Sequence, residues 1–234
     1  ALGNYYSLFG NKRTRPLNNI YLGPKYSDSE IKTAIYKNRK KDYLILKNIT
    51  NKQVAKYLAL GLVGARFSER MEFGARALGN RSIIADPSKI EVLKKINKQI
   101  KNRDFWMPFT PTILDFKEKS YIKNPKKIFS PHMTIAFNST ELGKEHLKAA
   151  IHQYDLTVRP QILKRKFNPK YYDLIKAFHK ITGIGAVLNT SLNLHGYPIV
   201  MSPDDAMHVF NNSELDMLIF DSFLVLRNKT NLVS

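Results

Sequence analysis

The sequence predicts an α/β domain. From Tyr21 onward, short apolar runs of strand length alternate with segments whose apolar residues fall at helical spacing. Several helical segments open on cap signals that the backbone of a first turn requires. A content of 43% hydrophobic and 24% charged residues over 234 positions is that of a globular chain with a packed core, of a size for one domain or one domain and a remnant of a neighbour.

In chain order, Ser27 with Glu30 forms a capping box that opens a helix to about Lys37. Tyr43–Lys47 is a buried strand, and Thr50 with Gln53 caps a second helix that Gly61 closes. Leu62–Phe67 and Ser82–Ala85 are strands. Pro87, Ser88 and Glu91 open an amphipathic helix with Ile90, Leu93, Ile96 and Ile100 on one face. Phe109–Leu114, His132–Phe137 and Leu156–Arg159 are strands, and Pro169–Ile181 is a helix stopped by Gly183. Ile184–Asn189 is a buried strand. Ser202, followed by Pro203 and by Asp205 three residues after the cap, opens a helix toward Phe210. Leu215–Phe220 and Phe223–Leu226 complete the sheet. No internal repeat is present.

The chain has no cysteine, which removes disulfides, thiolate metal sites and cysteine nucleophiles together and fits a reducing, cytoplasmic setting. Its apolar runs, such as Tyr57–Val63, are far shorter than a membrane span needs. Asn4, Asn11, Lys12 and Arg13 stand where a signal peptide would carry its apolar stretch. The formal charge of +19 concentrates anions around the protein: phosphates, nucleotides or nucleic acid. Much of it comes from Lys/Asn/Ile-rich stretches such as Lys37–Lys41, Lys94–Lys101 and Lys123–Lys127, which a compositional bias produces without any ligand.

Four polar clusters interrupt the apolar elements. In Arg70–Ser82, the arginines Arg70, Arg76 and Arg81 surround two glycines; guanidinium forks bind phosphate bidentately and glycine lets backbone approach a ligand closely. The competing reading is an irregular loop with solvated arginines. Lys101 and Arg103 are two positions apart, so in an extended segment both point to one side and converge on one anion; a solvated pair after a helix end is the plainer alternative. The run His152–Pro160 places Arg159 at a strand end, where ligand contacts collect in α/β folds, with His152 and Asp155 close by. Finally Asn189, Ser191 and Asn193 sit in a polar turn after the most apolar strand, suited to a small carbamoyl-like group or phosphate oxygens, although such turns are common.

Taken in order, Arg70–Ile83, Ile96–Pro111, Ala149–Gln161 and Leu188–Val200, preceded by Tyr21–Ser27, resemble the strings of the C-terminal domain of NodU/CmcH-type carbamoyltransferases over nearly the whole chain. Ala75 stands where that family usually has Pro, and Leu192 where it often has Phe. The resemblance implies a YrdC-like fold, a twisted mixed open sheet flanked by helices, with Lys101-Asn102-Arg103 and Ser191-Leu192-Asn193 similar to YrdC signatures. It implies that residues 21–234 are the YrdC-like domain and residues 1–20 a remnant or linker from an N-terminal actin-like, ATPase-type domain. It further implies an enzyme part that joins carbamoyl phosphate and ATP as carbamoyl adenylate, for transfer to an acceptor hydroxyl by that other domain.

By the same resemblance Lys101, Arg103 and His152 are the catalytic candidates, and Arg76, Arg81, Arg159, Asn189, Ser191 and Asn193 bind carbamoyl phosphate and ATP. Mg²⁺ accompanies ATP; no metal site is expected in this chain, and iron or another metal belongs to the N-terminal domain. The expected partners are the two small substrates and that domain, with neither membrane nor nucleic acid. The alternative is a basic RNA-binding module of the same fold without carbamoyl chemistry.

Overall fold

The structure, a computed structural model, describes residues 7–10, 19–97 and 108–227. In chain order the strands are β1 (Tyr43–Lys47), β2 (Gly64–Phe67), β3 (Arg81–Ala85), β4 (Thr110–Leu114), β5 (Ile122–Lys123), β6 (Phe137–Ser139), β7 (Thr157–Val158), β8 (Gln161–Leu163), β9 (Ala186–Ser191), β10 (Met217–Ile219) and β11 (Phe223–Arg227). The helices are α1 (Asp28–Asn38), α2 (Asn51–Ala59), α3 (Glu91–Ile96), α4 (Glu118–Tyr121), α5 (Glu141–His146), α6 (Pro169–Thr182) and α7 (Pro203–Asn211).

Among the described residues the strands form an eight-stranded sheet in the order β1-β11-β10-β2-β3-β9-β4-β8 and a three-stranded sheet β5-β6-β7. Pairing in the large sheet is mixed, since β2–β10 and β4–β8 run parallel and the other neighbours antiparallel. The α/β class with an open mixed sheet is therefore the fold observed.

The large sheet carries apolar side chains on both faces, as its nearly unbroken apolar strands require. On one face Ile84, Val187 and Met217 meet Val54 and Leu58 of α2, Tyr171, Ile175 and Phe178 of α6, and Phe137 and Val158 of the small sheet. On the other, Ile83, Leu188 and Val225 meet Ile31 and Ile35 of α1, Val92 of α3, and Met207 and Phe210 of α7. The expected caps form, with Ser27, Thr50 and Ser202 each closing a capping box and Gly183 ending α6 in the left-handed conformation; Asn168, not foreseen, caps α6 by accepting from the Tyr171 amide.

Two expectations need correction, and two others reach outside the described residues. Residues 132–136 are not a strand; Met133 has φ 56°, its sulfur accepts the Thr110 hydroxyl at 3.1 Å, and pairing begins only at Phe137. The strand expected at Leu156–Arg159 is only Thr157–Val158, because Leu156 is left-handed (φ 57°). The helix expected to reach Ile100 is described from Glu91 to Ile96, and the rest of it lies outside the described residues. Residues 1–20, expected as a remnant or linker, are described only at 7–10 and 19–20.

Candidate functional site

Register alone brings most of the candidate segments to one end of the large sheet. Phe67, closing β2, pairs with Arg81, opening β3; Ser82 pairs with Ser191, closing β9; Asn189 pairs with Thr110, opening β4; and Thr112 pairs with Gln161, opening β8. The Arg70–Ser82 loop, the Ser191–Asn193 turn, the chain entering β4 and the Arg159-Pro160 link into β8 therefore meet at this end. Lys101 and Arg103 lie outside the described residues, in the segment that leads into β4.

The loop between β2 and β3 is strapped down from inside. Glu72 is 2% exposed, and its Oε1 accepts the amides of Leu78, Asn80 (3.1 Å) and Arg81 (3.3 Å). Returning toward β3, the loop offers its carbonyls to the sheet: Ala77 O accepts from the Asn189 amide at 3.2 Å, and Leu78 O from Gln161 Nε2 at 3.0 Å and Tyr21 OH at 2.9 Å. Burial pushes the Tyr21 phenol up to about 12, so it stays a donor at neutral pH. Arg66, also buried, donates to the Gly79 carbonyl, to Asn80 Oδ1 at 2.8 Å and to Ser68 Oγ at 2.9 Å. Gly79 has φ +114°, and a Cβ there would stand 2.2 Å from the Tyr171 ring, so the strap lies directly on α6. Between these anchors the tip, Phe73 to Arg76, is exposed.

A buried polar row runs beneath the strap. Asn189 Nδ2 donates to Thr112 Oγ1 at 3.0 Å, Tyr171 OH approaches the same hydroxyl at 3.2 Å, and Thr112 Oγ1 donates to Gln161 Oε1 at 2.8 Å. Asn189 Oδ1 and Glu72 Oε2 are buried and find no hydrogen-bond partner among the described residues. A buried acceptor without a donor is costly, and such atoms mark places where a water or ligand group completes the set. Ser191 Oγ lies 2.6 Å from Asn193 Oδ1, and Asn193 Nδ2 donates to the carbonyls of Leu194 and Tyr197, which shapes the turn past β9.

The predicted residues thus divide. Arg76 and Arg159 are exposed at this end of the sheet, and Asn189, Ser191 and Asn193 stand with them. Arg81 reaches inward: it is fully buried, donates to the carbonyls of Ser68 at 2.8 Å and Asn80 at 2.9 Å, and lies 3.6 Å over the Phe67 ring. Burial pulls its pKa down to about 10, and it remains charged at neutral pH. As placed, Arg81 holds the loop to β2, and its Nε is buried without a hydrogen-bond partner among the described residues. His152 is half-buried in the turn before β7, where Nδ1 is 3.1 Å from Asp155 Oδ1; no hydrogen bond or ion pair joins its side chain to another predicted residue among those described.

Glu72, Arg66, Thr112, Gln161 and Tyr171 are the site residues that sequence reasoning missed. Only Glu72 carried a signal, as the single acid inside the arginine loop. Of two cavities, one of about 210 Å³ is bounded by the site residue Arg66 together with Ser68, Lys170 and Asp221, and one of about 580 Å³ by Phe116, Lys119, Phe129 and Lys164. Among the described residues no three His, Asp or Glu side chains are grouped to hold a metal ion. None of the helices there is long and apolar enough to cross a membrane.

Comparison with known proteins adds a family and a fold. The family described as Carbamoyltransferase C-terminus matches residues 55–227. An uncharacterized protein of Methanocaldococcus jannaschii is 39% identical over 210 residues, covering 88% of this chain and 34% of that protein. Nodulation protein NolO of Bradyrhizobium diazoefficiens is 35% identical over 219 residues, covering 92% of this chain and 40% of NolO. The 3'-hydroxymethylcephem-O-carbamoyltransferase of Amycolatopsis lactamdurans is 29% identical over 172 residues, covering 71% and 31%. The crystal structure of full-length HypF, in its phosphate- and nucleotide-bound form, superposes with a TM-score of 0.53 at 16% identity, over 80% of this chain and 22% of HypF, a likeness of fold. The chain spans about a third of the length of the first of these curated relatives.

Proposed function

The chain belongs to the carbamoyltransferase C-terminus family, and from that premise we propose that it handles the carbamoyl donor: it binds carbamoyl phosphate and ATP and forms carbamoyl adenylate. The supporting observation is the convergence of the Arg76 loop, Arg159, the Asn189–Asn193 turn and the entry to β4 at one end of the sheet.

The chemistry explains the need for cations. Carbamoyl phosphate and ATP together bring several negative charges to one place, and their repulsion must be offset by groups held there in advance. Arg76 and Arg159 bind phosphate oxygens, with Lys101 and Arg103 on the segment entering β4 completing the set. Asn189 and Ser191 hold the carbamoyl group through hydrogen bonds. In the first step water cleaves carbamoyl phosphate to carbamate and inorganic phosphate. In the second a carbamate oxygen attacks the α-phosphorus of ATP; the new P–O bond forms as the bond to the β-phosphate bridge breaks and pyrophosphate leaves. Positioning and charge neutralisation suffice for this, with no side-chain nucleophile. Mg²⁺ enters with the phosphates, and His152 is the candidate for moving a proton. Transfer of the carbamoyl group to an acceptor hydroxyl, with release of AMP, is assigned to the part of the enzyme that the relatives carry beyond this region.

The test is isotope exchange. The chain is incubated with ATP, carbamoyl phosphate and radiolabelled pyrophosphate; label entering ATP only when carbamoyl phosphate is present supports the reading, and its loss in Arg159→Ala with the fold intact supports the assignment. The charge of +19 favours one second reading, an RNA-binding module. That reading expects tight, steeply salt-dependent RNA binding and no effect of carbamoyl phosphate.

A further inference from the structure

Within the proposed donor site, and resting on that reading, we propose that Glu72 is a positioning residue: its buried carboxylate sets where Arg76 and Asn189 stand against the bound phosphates and carbamoyl group.

The tip Phe73 to Arg76 has little support of its own. Phe73 is 72% exposed, and Gly74, at φ +112°, has open space where a side chain would be. The reach of Arg76 therefore depends on the two feet of the tip. One foot is Glu72 itself. The other is Ala77, whose carbonyl takes the Asn189 amide, next to Leu78, whose own amide is bound by the Glu72 carboxylate. A single oxygen, Oε1, gathers three amides of the returning limb, an arrangement in which a carboxylate oxygen forms charge-assisted bonds stronger than those of a neutral acceptor. If that oxygen is removed, the amides of Leu78, Asn80 and Arg81 lose their common acceptor, the limb shifts, and Ala77 moves off Asn189. Through Oε1, one residue thus places both an anion-binding side chain and a carbamoyl-binding one.

A role of this kind differs from general support of the fold, because its effect on ATP binding passes through Arg76. Calorimetric titration of carbamoyl phosphate and of ATP into the wild type, Glu72→Gln, Glu72→Ala, Arg76→Ala and the Glu72→Ala/Arg76→Ala double variant separates the two. Gln keeps an acceptor oxygen at the hub and is expected to stay within about threefold of wild type. Glu72→Ala is expected to weaken ATP binding about tenfold or more in the wild-type background and less than about twofold when Arg76 is already gone. Equal losses in both backgrounds, or none in either, overturn the proposal. If Glu72→Ala lacks a cooperative thermal transition, Glu72→Asp, which shortens the arm by one methylene, takes its place with the same dependence on Arg76. Failure of the wild type to bind either ligand sinks the donor-site reading and the inference with it; binding with additive losses sinks the inference alone.

Discussion

The side-chain amide of Asn189 bonds at once to the Thr112 hydroxyl, at 3.0 Å, and to the Ala77 carbonyl, at 3.2 Å, and so ties the end of strand β9 to its neighbour in the sheet and to the loop above it. Asn189→Ala leaves the Ala77 carbonyl buried without this donor. Such a loss costs about 1–3 kcal/mol, to be read as a lower urea midpoint at unchanged slope.

Gly79 gives a sharper test of how the loop is seated. A methyl group there meets the Tyr171 ring at 2.2 Å and the backbone holds φ +114°, so Gly79→Ala adds overpacking to backbone strain. The two together cost at least about 2 kcal/mol. Gly74→Ala, at φ +112° with open space around it, carries the strain alone and costs less. Equal thermal shifts for the two variants contradict this placement of the loop.

The two arginines of the loop separate in the same way. Arg81→Ala removes a fully buried guanidinium from the Phe67 ring and from the carbonyls of Ser68 and Asn80. A loss of about 3 kcal/mol or more is expected, as for other broken buried networks. Arg76→Ala, at an exposed position, changes stability by no more than about 0.5 kcal/mol. Paired denaturation curves check both.

Asp221 supplies a pH dependence. Burial pushes its carboxyl up, but the Ser68 hydroxyl and the charges of Arg66 and Lys170 outweigh burial and hold it below its ordinary value. A carboxyl with a depressed folded pKa contributes stability that is fully present above its unfolded value and is lost as pH falls through the folded one. The wild type is therefore expected to lose stability on acidification below about pH 4, the ordinary aspartate value, by more than Asp221→Asn loses over the same interval. Parallel slopes for the two proteins contradict the assignment.

Much of this architecture is legible in the sequence. The capping boxes at Ser27, Thr50 and Ser202 and the Gly183 stop are local signals, and each marks a helix end in the structure. The polar strings are legible because they break apolar strands. What joins them is not, since strand register sets the row Asn189, Thr112 and Gln161 and no local pattern encodes it. Strand β8, three residues directly after Pro160, is too short to show alternation. The burial of Arg81 is not legible either, since β3 begins one residue earlier than expected and turns that side chain inward. Residues 132–136 read as strand by composition, yet the left-handed backbone at Met133 delays pairing to Phe137.

We propose that Arg76 and Arg159 serve one anion site at the end of the sheet, and titration of ATP into the wild type, Arg76→Ala and Arg159→Ala is its test. Each loss of a charge-assisted contact is expected to weaken binding by roughly ten- to hundredfold with the thermal transition unmoved. Unchanged affinity in both variants contradicts it.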